Sequence, residues 1–235
     1  MKTLGILGGL GPMAGIYFAE LLTRKTKAES DQEHLQFLLY SNPATPDRTG
    51  FILGNSTEDP LPVLVESLKK LESSGAEVIA IPCMTSHFFF EQLENAVKIP
   101  VLNGIRETAS MLSKKGIKSA GVLATTGTIH TGLFQKAFEE FGIEALVPDE
   151  SEQNKVMDII YKEAKAGKPI SAKTLFSVSD ALKGRGAQIC VLGCTELSLV
   201  LKEHLIPAER EGEFLDVLEA LSEAAIRACG GVPIG

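Results

Sequence analysis

Two cysteines stand where an α/β protein does its chemistry. One closes the segment Glu77-Val78-Ile79-Ala80-Ile81-Pro82-Cys83-Met84-Thr85, the other the segment Gln188-Ile189-Cys190-Val191-Leu192-Gly193-Cys194-Thr195-Glu196. In each, an apolar run suited to a buried parallel strand ends in a turn residue, then a thiol and a threonine. Ligands of open parallel sheets sit beyond the carboxyl ends of the strands, so both thiols are placed for small-molecule chemistry. Cysteine also packs as a small buried hydrophobe. That blander reading suits Cys190, in mid-strand, and Cys229, on the final helix. Cys83 and Cys194 lie beside hydroxyls at expected helix N-termini, where backbone amides lower a thiol's pKa, and for them the residues favour function.

Other chemistry-bearing residues divide less cleanly. Gly9-Leu10-Gly11-Pro12-Met13-Ala14 fits the glycine pattern of a dinucleotide turn, but the acidic residue expected after the second strand is replaced by Tyr40-Ser41-Asn42. The turn is left as a source of backbone N–H groups for a carboxylate. Arg48, beside Asp47, is either a solvated surface pair or a bidentate clamp on a substrate carboxylate, and spacing leaves both open. Cys83, His87 and Cys194 could supply three zinc ligands. With no paired CxxC or HExxH spacing, His87 reads better as a helix-start residue bonded to backbone, and no metal site is expected.

These residues need a scaffold, and the chain supplies it twice. The cysteine segments lie about half a chain apart, and Leu4-Gly5-Ile6-Leu7-Gly8-Gly9 is echoed at a similar offset by Ala120-Gly121-Val122-Leu123-Ala124-Thr125. Strands are expected at 2–7, 35–41, 77–81, 101–103, 119–124, 144–147 and 188–192. Helices are expected at 12–27, 59–74, 86–97, to 115, 131–141, 152–165, 171–183, 196–203 and 212–229. A long polar loop, 42–57, carries Arg48; loops of that length in compact domains are usually functional or disordered. Strands alternating with helices imply parallel βαβ units. The expected fold is α/β: two pseudo-symmetric parallel-sheet domains, 1–115 and 116–235, with the active site in the cleft between them. The C-terminal helix, about 212–229, has the option of packing back on the first domain.

A length of 235 residues supports one large or two small domains, and the net charge of −7 with no basic stripe argues against a nucleic-acid partner. An anionic substrate is not excluded, because the field in a cleft can oppose the global sign. The early apolar run is broken by Gly8, Gly9, Gly11 and Pro12, so neither a signal peptide nor a membrane span is expected. Four cysteines without a disulfide framework suit a cytoplasmic location.

The chain resembles the cofactor-independent aspartate/glutamate racemase family, in its aspartate racemase and broad-specificity branch. The resemblance is carried by Gly8-Gly9-Leu10-Gly11-Pro12, Ser41-Asn42-Pro43 with Pro46-Asp47-Arg48-Thr49, Pro82-Cys83-Met84-Thr85-Ser86-His87, Thr126-Gly127-Thr128 and Gly193-Cys194-Thr195-Glu196-Leu197. It implies a homodimer without pyridoxal phosphate or metal, acting on a small anionic amino acid. It implies that Cys83 and Cys194 are the acid/base thiols and that Arg48 binds carboxylate. Gly9, Leu10, Thr85, Thr126, Gly127, Thr128, Thr195 and Glu196 would line the substrate, with Lys165 rather than Lys162 as the lysine. Met84 departs from the pattern: the family has asparagine there, and a thioether cannot donate the amide's hydrogen bond.

Racemisation moves a proton from one face of Cα to the other, so two bases in near-symmetric surroundings suit it, one as thiolate and one as thiol. The expected activity is therefore cofactor-independent racemisation of aspartate or related amino acids. An isomerase or decarboxylase of another dicarboxylate, and a non-catalytic small-acid binder, are the competing expectations.

Overall fold

Leu4–Gly8 (β1) is apolar or glycine at all five positions and buried at all five, as a strand covered on both faces requires. The structure, a computed structural model, describes residues 1–203 and 205–234. After β1, Pro12 opens α1 (Pro12–Lys25) at the position where a missing N–H costs nothing. Its stripe of Ala14, Tyr17, Phe18, Leu21 and Leu22 packs inward, and the helix stops where the Thr26 hydroxyl donates to the Leu22 carbonyl at 2.7 Å. There follow β2 (Phe37–Ser41), α2 (Arg48–Ile52), α3 (Leu61–Ser73) and β3 (Val78–Ala80). A 3-10 turn, Met84–Phe89, then leads into α4 (Phe90–Asn95) and β4 (Val101–Leu102).

The second run comprises α5 (Gly104–Lys114), β5 (Ser119–Leu123), α6 (Thr126–His130), α7 (Leu133–Glu140) and β6 (Glu144–Leu146). It continues through α8 (Glu150–Asp158), a π-helical turn Ile159–Ala164, α9 (Ala172–Gly184), β7 (Ile189–Leu192), α10 (Leu199–Lys202), β8 (Phe214–Asp216) and α11 (Val217–Ala228). The strands form two sheets, β2-β1-β3-β4 and β6-β5-β7-β8, with every pairing parallel. One strand order is thus used twice, and each cysteine follows the third strand of its sheet, β3 or β7.

Contacts divide the chain into two compact units, 1–104 with 218–235, and 105–217. In the first, Leu7, Leu64, Leu68, Leu71, Ile79 and Leu93 form the buried core, each worth roughly 1.5–3 kcal/mol of apolar burial. The last residues join it: Lys2 N–H donates to the Cys229 carbonyl at 2.9 Å, Ile234 N–H to Lys25 at 2.7 Å, and Lys25 pairs with Glu219 at 3.3 Å. In the second, Phe134 and Phe138 meet edge to face at 5.6 Å and are fully buried, as are Leu175, Val178 and Leu182 of α9. Among the described residues no helix is long and apolar enough to cross a membrane.

Several expected elements differ. The loop 42–57 contains α2, because the Asp47 carboxylate caps it by accepting from Gly50 N–H at 2.7 Å. The helix expected at 86–97 is a 3-10 turn followed by the shorter α4. The helix expected at 131–141 is α7, which begins only after Gly132, whose φ of 67° a helix cannot carry, and the turn before it holds the short α6. The helix expected at 152–165 ends its last turn as a π-helix. At 196–203 only α10 is helical, and the start of the helix expected at 212–229 is the strand β8. A three-residue strand running straight into an apolar helix has no periodicity of its own to announce it.

Candidate active site

In the first unit, Cys83 follows β3 and starts the 3-10 turn. The thiol residue is 5% exposed. The turn is held by His87. Its Nδ1–H donates to the Cys83 carbonyl at 3.0 Å, and its Nε2 accepts from Gly104 N–H at 3.0 Å. A carbonyl can only accept and an amide N–H only donate, so the two partners set the tautomer and require a neutral ring. Burial pushes the His87 pKa down to about 4, in accord with that state. Both ring nitrogens are committed to backbone, and Phe90 stacks on the ring at 5.7 Å. Zinc ligation is not what this histidine is arranged for.

Met84 is buried against the start of α5: a Cβ added to Gly104 would lie 2.8 Å from its Cε and 3.1 Å from its Sδ. Thr85, Ser86 and Met84 are all buried in the same turn. Arg48 is 7% exposed. Its Nη2 donates to the Leu10 carbonyl at 2.7 Å and its Nη1 to the carbonyls of Pro46 at 3.0 Å and Thr45 at 3.3 Å. The arginine therefore ties the loop after β2 to the glycine turn after β1, and it is not a solvated surface residue. Gly9 has φ 90°, and a Cβ there would meet Asn42 N at 2.4 Å, so this close approach of the two turns requires glycine.

In the second unit, Cys194 follows β7 and Gly193, and is 6% exposed. Its Sγ–H donates to Glu196 Oε2 at 3.0 Å, and Glu196 Oε1 lies 4.0 Å from Lys165 Nζ. Lys165 comes at the end of the π-helical turn and sits over the Tyr161 ring at 4.2 Å. Lys162 instead pairs with Asp158 in solvent. Burial pushes the Cys194 pKa well up, the Glu196 charge and hydrogen bond push it further the same way, and Lys165 opposes them. The expectation that Cys194 sits in thiol-acidifying surroundings is corrected: no α-helix starts at it, and a carboxylate is its neighbour. Burial also raises Cys190 to about 12 and Cys229 to about 11, as for inert packed thiols.

Thr126, Gly127 and Thr128 form the first turn of α6 after β5. The Thr125 side chain caps it, accepting from Thr128 N–H at 3.2 Å. Two contributors escaped the sequence reading. Gln153, buried on α8, donates through Nε2 to the Ala124 carbonyl at 2.9 Å and to Thr126 Oγ1 at 3.2 Å. Its signal was a polar residue in the inward stripe Gln153, Val156, Ile160. Asp216, buried at the end of β8, accepts from Ser198 Oγ at 2.6 Å and so anchors the turn after Cys194. With β8 taken for helix, nothing pointed to it.

The profile of the Asp/Glu/Hydantoin racemase family matches residues 7–225. The broad-specificity amino-acid racemase RacX of Bacillus subtilis (strain 168) is 26% identical over 206 residues, covering 86% of this chain and 88% of that protein. Picrophilus torridus aspartate racemase superimposes with a TM-score of 0.86 at 32% identity, over 100% of this chain and 96% of that one. The glutamate racemase of Francisella tularensis, at 16% identity and a TM-score of 0.69, covers 97% of this chain and 80% of its own and shares the fold. With two parallel sheets of one topology and a family match over nearly its whole length, the chain belongs to the Asp/Glu/Hydantoin racemase family and is an isomerase of the racemase class.

Proposed function

We propose that this amino-acid racemase acts on aspartate or closely related amino acids without a cofactor, one of Cys83 and Cys194 removing the Cα proton while the other delivers its own to the opposite face. The observation that carries the reading is the equivalent placement of the two thiols, each after the third strand of a sheet of the same order. The likeness to an aspartate racemase over the full chain supports the substrate.

In this reading one thiol works on each face of Cα. Cys194 rests protonated, its S–H given to Glu196, so it is the acid of the resting enzyme and Cys83 the base. Cys83 as thiolate takes the α-proton, Cys194 delivers its own to the opposite face, and the next substrate of opposite hand returns both. The Cys194 thiolate so formed stands next to the Glu196 carboxylate, and Lys165 at 4.0 Å from that carboxylate offsets the repulsion. Negative charge gathering on the substrate carboxylate needs fixed donors. Arg48 supplies positive charge at the glycine turn. The hydroxyls of Thr85, Thr126, Thr128 and Thr195, with backbone N–H groups at Gly9, Leu10 and Gly127, supply hydrogen bonds. The same reading takes the working form as a cytoplasmic homodimer, the four free buried cysteines suiting a reducing compartment.

The test is proton NMR of an amino-acid panel led by L-aspartate and L-glutamate, in D2O without added cofactor, with chiral analysis. Loss of the α-proton signal together with appearance of the D-enantiomer is the expected result. Cys83→Ser and Cys194→Ser should each lower two-way racemisation by about 10²-fold or more, the scale of a lost general acid or base. A single mutant racemising at the parental rate would end the two-thiol mechanism. Absence of exchange across the panel would favour an isomerase or decarboxylase of a related dicarboxylate, a reading to which buried, donor-free Met84 lends weight.

A further inference from the structure

We propose that Gln153 is a positioning residue that turns the Thr126 hydroxyl into an obligatory donor toward an anionic oxygen of the substrate. The inference rests on the racemase reading and deepens it.

The amide of Gln153 can be oriented without ambiguity. The atom 2.9 Å from the Ala124 carbonyl must be the nitrogen, because a carbonyl oxygen cannot donate. The same nitrogen lies 3.2 Å from Thr126 Oγ1, so Thr126 accepts there. A hydroxyl that accepts along that direction points its own proton away from Gln153. Among the described residues no acceptor takes that proton. Thr126 is half-buried at the carboxyl end of β5, where a ligand of the sheet would sit. Gln153 itself is buried, and its oxygen finds no donor among the described residues. The side chain is thus placed for its nitrogen alone. Were the amide replaced by a group that accepts, the Thr126 proton would turn inward and its lone pairs would face the substrate's negative charge. Gln153 also ties α8 to the end of β5, so a purely bracing role is the alternative that the experiment must separate.

The experiment is a double-mutant cycle on the full-length enzyme with Thr126→Val, Gln153→Leu and the pair. Each is read by calorimetric Kd for L-aspartate, by kcat/KM for racemisation and by thermal melting. Thr126→Val should weaken L-aspartate binding roughly ten-fold or more, the scale of a lost hydrogen bond to a charged group. Gln153→Leu should weaken it by a comparable factor and should add nothing in the Thr126→Val background. Thr126→Ser, which keeps the hydroxyl, should bind as the parent does and remain sensitive to Gln153→Leu. Additive losses, or a fall in melting temperature with Kd unchanged, would show Gln153 to be a brace and overturn the proposal. If Gln153→Leu does not fold, Thr126→Val still decides: an unchanged Kd means there is no hydroxyl contact to position. A parent enzyme that binds L-aspartate without racemising it sinks the racemase reading but leaves the cycle on Kd valid. A parent that binds neither L-aspartate nor L-glutamate removes both.

Discussion

Glu196 and His87 show how the same side-chain position can mean different things before and after folding. The segment Cys194-Thr195-Glu196 marks a strand end in sequence, but nothing in it states that the carboxylate folds back onto the thiol at 3.0 Å. The burial of Cys194 and, after it, the charge of Glu196 both raise the thiol pKa, and Lys165 opposes them. Glu196→Gln should therefore speed iodoacetamide labelling of Cys194 several-fold at pH 8, and Lys165→Ala should slow it. Peptide mapping by mass spectrometry gives both rates, and equal rates in all three proteins would refute the coupling. For His87 the sign runs the other way. An imidazole in water titrates at 6.5 and the buried His87 ring at about 4, so on acidification the unfolded chain takes up the proton first. Stability should be complete above pH 6.5 and fall between 6.5 and about 4 by roughly 3 kcal/mol from this group. Urea unfolding from pH 7 to 4 measures the fall, which His87→Gln should flatten.

Elements were legible in proportion to their length and to how far local residues decide them. β3 and β7 announced themselves as apolar runs ended by Pro82 and Gly193, and α1 by Pro12 and its stripe. β8 did not, and with it went Asp216 and the anchor of the Cys194 turn. Arg48 could be placed in its loop but not onto the Leu10 carbonyl, because that bond joins turns 38 residues apart in sequence. Met84 and Gly104 make a similar long-range fit between the 3-10 turn and α5. Gly104→Ala should overpack it and cost about 1–3 kcal/mol, with Met84→Ala alone costing about 2–5 kcal/mol through the cavity it leaves. The two together should cost less than their sum, since each relieves the other's fault. Urea denaturation checks this; strict additivity would mean the two side chains do not share the space described.

For the whole molecule, the repeated strand order was visible as two pairs of similar segments, and the C-terminal helix could be given the option of returning to the first domain, but nothing local to it decided that. The first unit is discontinuous: it takes residues 1–104 and then waits for 218–235, while 105–217 is one uninterrupted stretch. Lys2 is paired to Cys229, and Thr26 bridges to Pro233. A chain leaving the ribosome must therefore finish its second unit before its first has all its parts, so assembly runs in the reverse of synthesis order. Expressed alone, 105–217 should show cooperative thermal unfolding by circular dichroism. The fragment 1–104 should not, until 218–235 is supplied in trans. A cooperative transition in 1–104 by itself would mean that the returning helix is an ornament on a finished unit. Otherwise α11 acts as a completion signal: the unit that carries Cys83 and Arg48 closes only after 105–217 and then α11 have been made.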